Sequence, residues 1–176
     1  MEEQKVLERL QRQCARMEYC VSDIRRKALK AMEGDEEAAD RIVSSLVKDR
    51  FVDDRRYAAA FAREKAALQG WGTVKIRFQL RGKGVSDEII TEALQEIDPA
   101  KAASKLDKLA AERYRILKDD PQCRLKLLKA LLSRGYGYDE VEAAVKRVSK
   151  PKTDETGSSD PMLPFPGPDG PCRPGL

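Results

Sequence analysis

The sequence predicts an all-α fold: an elongated array of three tandem three-helix, helix-turn-helix-like units with a disordered C-terminal tail. Three observations carry that expectation. The stretch Q-L-R-G-K-G-V-S-D-E-I-I-T-E-A-L, Gln79 to Leu94, recurs fifty-one residues later as A-L-L-S-R-G-Y-G-Y-D-E-V-E-A-A-V. Recurrence at that period marks stacked supersecondary units. The composition is 41% hydrophobic and 36% charged but only 6% aromatic, which suits several thin Ala- and Leu-based cores better than one large core. Apolar residues also recur in three-four steps between Gly, Pro and Asp punctuation, the grammar of short capped helices.

Taken in order, the first helix is predicted over about Gln4 to Tyr19. Ser22-Asp23 caps a second helix through Ile24, Ala28 and Ala31. Gly34-Asp35 resets the chain, and Ala38, Ala39, Ile42, Val43 and Leu46 form the stripe of a third. Asp53-Asp54 opens a helix in which Tyr57, Phe61, Glu64 and Leu68 follow the helical step. Val74 to Leu80 alternates like an amphipathic strand, but the repeat aligns Val74, Ile76 and Leu80 with Leu125, Leu127 and Leu131 inside a clearly helical pattern. A lone strand would also lack a pairing partner. That segment is therefore read as a helix, with apolar groups on two sides as in a helix packed between neighbouring units. Gly84 takes the left-handed position after it, Ser86 caps the next helix, and Val85 staples against Ile90.

Asp98-Pro99 and Asp120-Pro121 each place a capping carboxylate before a proline at the first helical position. Leu106, Leu109, Ala110, Arg113 and Leu117 mark the helix after the first signal. Leu125, Leu128, Leu131 and Leu132 mark the helix after the second. Gly135, Gly137 and the Tyr136–Val141 staple repeat the earlier turn. The units are thus expected at 1–51, 52–97 and 98–149. From residue 150 to 176 Pro and Gly dominate and no period survives, the composition of a disordered tail. Met162–Phe165 is the one place in it for a short linear motif.

Several function classes fall away. The chain has no histidine, the commonest general base and metal ligand. Cys14, Cys20, Cys123 and Cys172 form no C-x-x-C pair, so neither a zinc site nor another cofactor is expected. Arg81-Gly82-Lys83-Gly84 lacks the spacing, the Ser/Thr and the strand of a phosphate loop. Asp53 and Asp54 point apart and serve as caps, not metal ligands. The charged N-terminus is unlike a signal peptide, and no apolar run approaches a membrane span. A cytoplasmic, non-enzymatic protein, monomeric by default, is expected.

The net charge of +4 is compatible with an anionic partner without requiring one. More pointed is the placement of Lys75, Arg77, Arg81 and Lys83 in one unit and Lys126, Lys129 and Arg134 at related positions in the next. They are either an ordinary solvated face or a basic stripe repeated along the array, suited to an anionic groove or nucleic-acid backbone. Trp71, between Gly70 and Gly72, is either an exposed anchor of that interface or a plug between units. The alternative function is a helix-turn-helix regulator of duplex DNA. Against it, the second helix of the turn carries Asp87, Glu88, Glu92 and Glu96, a poor composition for entering a groove.

Asp53-Asp54, Tyr57-Ala58 and Phe61, then Ile76 and Leu80, Lys83-Gly84-Val85, and the Ile89/Ile90–Ala93-Leu94 stripe resemble the RecX family, the bacterial regulators of the RecA recombinase. Leu132-Ser133-Arg134-Gly135-Tyr136, followed by Val141 and Val145, is similar to the family's third unit. The likeness covers nearly all of residues 5–148 and is strongest over 51–94. It implies a three-unit array lying in the groove of a RecA–single-stranded DNA filament, restraining its extension, strand exchange, ATP hydrolysis and coprotease role, with no catalytic residues. The Pro/Gly-rich tail departs from the family's compact pattern, so the implied function is not attached to it.

Overall fold

The computed structural model describes residues 3–150; all of the expected tail but Lys150, including Met162–Phe165, lies outside the described residues. The described chain is all-helical: α1 (Glu3–Cys14), α2 (Val21–Ala31), α3 (Glu36–Lys48), α4 (Asp54–Ala67), α5 (Thr73–Gly82), α6 (Asp87–Gln95), α7 (Pro99–Leu117), α8 (Cys123–Leu132) and α9 (Tyr138–Ser149).

The apolar stripes read from the sequence close three small cores. Val6, Leu10, Ile24, Ala28, Ile42 and Leu46 of α1–α3 meet in the first, joined by Val52 from the connection to α4. Ala58, Ala62, Ile76, Leu80, Val85 and Ile90 fill the second. Leu106, Ala110, Leu127, Leu131, Tyr136 and Val141 fill the third. Alanine at the α4 and α7 positions lets helices approach closely, so each core is thin and depends on few large side chains. Burying each of those is worth about 1.5–3 kcal/mol.

Caps fix where the helices start. Asp35 accepts from the Ala38 amide at 3.0 Å. Asp53 accepts from Arg55 and Arg56 at 2.8 and 3.2 Å, and Asp98 from Ala100 and Lys101 at 2.9 and 3.2 Å, with Pro99 at the first position of α7. Gly84 and Gly135 sit at φ +76° and +84°, the left-handed conformation that a non-glycine residue adopts only at a cost. After Gly135, Glu140 reaches back to accept from the Gly137 amide at 2.8 Å. Both expected staples are buried: Val85 with Ile90, and Tyr136 with Val141.

Four local expectations are corrected. Helix α1 stops at Cys14 rather than Tyr19; its buried face is complete with Val6, Leu10 and Cys14, and Met17 points into solvent. Ser22-Asp23 does not cap α2. That helix begins at Val21, whose amide donates to Asp54 Oδ1 of the next unit at 2.9 Å. Asp120 closes a turn by accepting from Gln122 at 2.8 Å, and α8 begins only at Cys123. Finally, α5 is a helix as read, but only Ile76 and Leu80 are buried. Val74 and Phe78, on its other side, are 60% and 72% exposed rather than packed between units.

Candidate partner-binding face

The cations singled out in the sequence lie on α5, α8 and the turns that follow them, and most are already engaged. Arg81 donates from Nε to Asp87 Oδ1 at 2.7 Å and from Nη2 to Oδ2 at 3.1 Å. Arg77 approaches the same carboxylate at 3.8 Å. These hydrogen bonds from Arg81, helped by the charges of Arg81 and Arg77, hold the Asp87 carboxyl below the ordinary range although partial desolvation opposes them. Lys126 donates to Asp120 at 2.5 Å, which with the Gln122 amide lowers that carboxyl too. Lys129 is exposed and has no ion pair among the described residues. Leu125, 63% exposed, occupies the position in α8 that Val74 occupies in α5.

Lys83 and Arg134, fifty-one residues apart, do the same structural job. In each case the turn after the second helix of one unit receives the start of the second helix of the preceding unit. At the first joint, Lys83 Nζ donates to Asp23 Oδ2 at 2.5 Å, and Ser22 Oγ donates to the Lys83 carbonyl. Asp23 is the buried charged residue of the described chain. Burial alone would raise its pKa, but hydrogen bonds from Lys83 and Cys20 and the charges of Lys83 and Arg26 outweigh it, so the carboxyl lies below its usual range. Lys83 mirrors this: burial pulls its pKa down, and Asp23 more than restores it.

The second joint is built from backbone. The Gly72 amide donates to Arg134 O at 2.9 Å and the Val74 amide to Gly135 O at 3.1 Å. Arg134 Nη1 donates in turn to Gln69 O at 2.9 Å. A Cβ on Gly72 would stand 2.2 Å from Gly135 O, and one on Gly135 2.2 Å from Lys75 Cβ. Two glycines thus let two backbones touch. Trp71 leads into this joint, half-buried, with its edge toward Phe61 (centroids 6.3 Å apart) and Lys75 over its face at 4.5 Å. It packs on the second core while its outer face carries the cation.

The arrangement therefore brings Trp71, Lys75 and Arg134 together at the second joint, Arg77 and Arg81 over Asp87, and Lys83 at the first joint. Lys126 and Lys129 stand apart on α8. Sequence reasoning missed Ser22, Asp23 and Gly72 as joint residues, and the exposed Phe78. The repeat's equivalence of Lys83 and Arg134 was the available signal for a joint. Nothing in the sequence pairs either with its partner. Among the described residues no helix is long and apolar enough to cross a membrane, and no group of three or more Cys, Asp or Glu is placed to hold a metal.

Comparison with known proteins agrees with this architecture. Residues 53–94, spanning α4 to α6, match the family described as RecX, second three-helix domain. Regulatory protein RecX of Clostridium botulinum (strain Alaska E43 / Type E3) is 37% identical over 116 residues, covering 64% of this chain and 54% of that protein. The Clostridium beijerinckii protein of the same name is 30% identical over 134 residues, covering 74% and 62%. The chain thus spans a little over half the length of such curated relatives. A crystal structure of regulatory protein RecX superposes with a TM-score of 0.73 at 27% identity, covering 82% of this chain and 71% of that one. RecX from Lactobacillus salivarius, at 20% identity, shares the fold with a TM-score of 0.72 over 83% and 96%. A second unit that matches the family model, flanked by two further three-helix units in the arrangement of RecX structures, identifies the chain as a member of the RecX family.

Proposed function

We propose that the protein is a non-enzymatic regulator that binds RecA–single-stranded DNA filaments and restrains their extension and activity in recombination and DNA repair. The observation that carries this reading is the pair of repeated joints. They set α5 and α8, with their turns, in equivalent positions along a row of units, a form suited to a partner that is itself a linear repeat. Units divided near 51/52 and 97/98 would then each meet successive parts of the filament. Arg77, Arg81, Lys126 and Lys129 are the candidate contacts. The first three exchange an intramolecular carboxylate for the partner's anionic groups, and Lys129 offers its charge directly. Lys75 and Trp71 present a cation on an aromatic face at the edge of the second joint. Lys83 and Arg134 act through the joints, holding the units in register. The protein works as a monomer, in the cytoplasm, without a cofactor.

The acidic exposed side of α6 supports this reading over a duplex-DNA regulator. Asp87, Glu88 and Glu92 would face the phosphates of any groove the helix entered, and Glu92 is already tied to Arg55. The test is RecA ATP hydrolysis on single-stranded DNA with substoichiometric protein added. Inhibition, or accelerated loss of filament, is expected; unchanged hydrolysis at every ratio sinks the proposal.

A further inference from the structure

The chain's uncommitted positive charge is not concentrated where the sequence suggested. On the α5–α8 face most cations have an acid in reach. On α7, Lys105 and Lys108 have no ion pair among the described residues, and Lys101 has only a loose 3.6 Å approach to its own cap, Asp98. Lys101, Lys105 and Lys108 follow one another at steps of four and three, which puts them in a row on one face of the helix.

That row borders a groove of about 750 Å³ between the end of α4 and the start of α7, within the roughly 300–1,000 Å³ typical of ligand-sized clefts. Its apolar lining includes the small side chains Ala66, Ala67 and Ala100 together with Ile97. The Arg63–Glu96 ion pair and Asp98 line it as well. The wall is fixed in place, because Gly70 presses against α7: a Cβ there would meet Leu109 Cδ1 at 2.8 Å and Lys105 Cε at 3.3 Å. Lys105 therefore lays its aliphatic stem on the α4–α5 turn and, half-buried, lines the groove.

We infer that this groove is a docking site for a polypeptide segment of another protein, one that carries acidic residues beside an apolar side chain. The apolar group would rest on the apolar lining and the carboxylates would pair with Lys105 and Lys108. Charge complementarity and lining chemistry both select that class. A single-stranded nucleic acid fits poorly, because no aromatic side chain lines the groove as a stacking platform. The site is separate from the α5–α8 face and does not depend on the filament-binding reading.

The test uses the full chain and fluorescence anisotropy of a short labelled peptide of glutamates around a central Leu-Phe pair. Two further probes accompany it: the same peptide with the pair replaced by two serines, and a labelled oligothymidylate of equal charge. The Leu-Phe peptide should bind best. Lys105→Glu with Lys108→Glu should weaken it about tenfold, a change equal to roughly 1.4 kcal/mol. Ser104→Trp, which fills the groove from an exposed position, should weaken it while the helical circular dichroism stays unchanged. The proposal is overturned if the serine peptide or the oligothymidylate binds as well as the Leu-Phe peptide, or if neither variant affects binding. It is also overturned if the triple change Met162→Ser, Leu163→Ser and Phe165→Ser raises probe affinity, since the chain's own terminus would then be the occupant.

Discussion

Replacing Gly72 with alanine isolates the second joint. The backbone there is ordinary, with φ −79°, so alanine brings no conformational penalty. By restricting the unfolded chain it should even favour folding by about 0.4–1 kcal/mol. Against that, the new Cβ would lie 2.2 Å from Gly135 O and 2.4 Å from the Tyr136 amide nitrogen. Carbon–oxygen contacts need roughly 3.3 Å, so the two backbones must part by about 1 Å. Parting breaks the Gly72–Arg134 and Val74–Gly135 hydrogen bonds, each worth about 0.5–1.5 kcal/mol net, and strains the charge-assisted bond from Arg134 to Gln69 O. A net loss of about 2 kcal/mol is expected. The chain's single tryptophan, Trp71, adjoins the joint, so urea unfolding followed by its fluorescence reads the loss directly. Gly82→Ala is the control: a Cβ there meets nothing within 4 Å, and stability should rise by about 0.4–1 kcal/mol. A Gly72→Ala protein as stable as wild type, with unchanged Trp71 emission, would refute the close backbone joint.

Three further outcomes are expected. The first joint should depend on pH at both ends. The Asp23 carboxyl is held below its ordinary value, so its contribution is complete above about pH 4 and lost as pH falls through that depressed value. The Lys83 value is raised, so its contribution is complete below about pH 10 and lost as pH rises through the raised value. Thermal midpoints of wild type and Asp23→Asn across pH check this; parallel profiles would contradict it. At neutral pH, Asp23→Asn should cost about 1–3 kcal/mol, because Lys83 loses its carboxylate in a partly buried site, as urea titration would show. Charge reversal at Lys75, Arg77 and Arg81 should weaken filament binding while leaving the helical circular dichroism intact, and undiminished binding would remove these residues from the contact face.

What the sequence disclosed was local. Asp35, Asp53 and Asp98 as caps, and Gly84 and Gly135 as left-handed turn residues, depend on neighbours a few residues away, so composition and spacing were enough to place them in those roles. The helical reading of Val74 to Leu80 needed one step more, the alignment with α8, because alternation alone fits a strand. The joints were hidden for a physical reason. Asp23 meets Lys83, and Gly72 meets Gly135, across distances in the chain at which no periodicity operates. Ser22 and Asp23 looked like a cap because the same side chains that cap helices also bind a neighbouring turn. The cations of the candidate face were legible as residues, but their acids were not. Asp87 reads as a first-turn helix acid, and only the packing of α5 on α6 brings it under Arg81. The lysine row on α7 has no signature in the sequence, because its groove forms only where α7 meets α4 of the preceding unit.

The claim that this chain binds a filament, rather than DNA or free RecA, is tested most directly by co-sedimentation. RecA is assembled on long single-stranded DNA with a slowly hydrolysed ATP analogue, the protein is added, and pellets are compared with those from DNA alone. The expected result is that the protein pellets with the filament, saturably, and stays in the supernatant with bare DNA at moderate salt. Equal recovery on bare DNA, or none with the filament, would contradict the account.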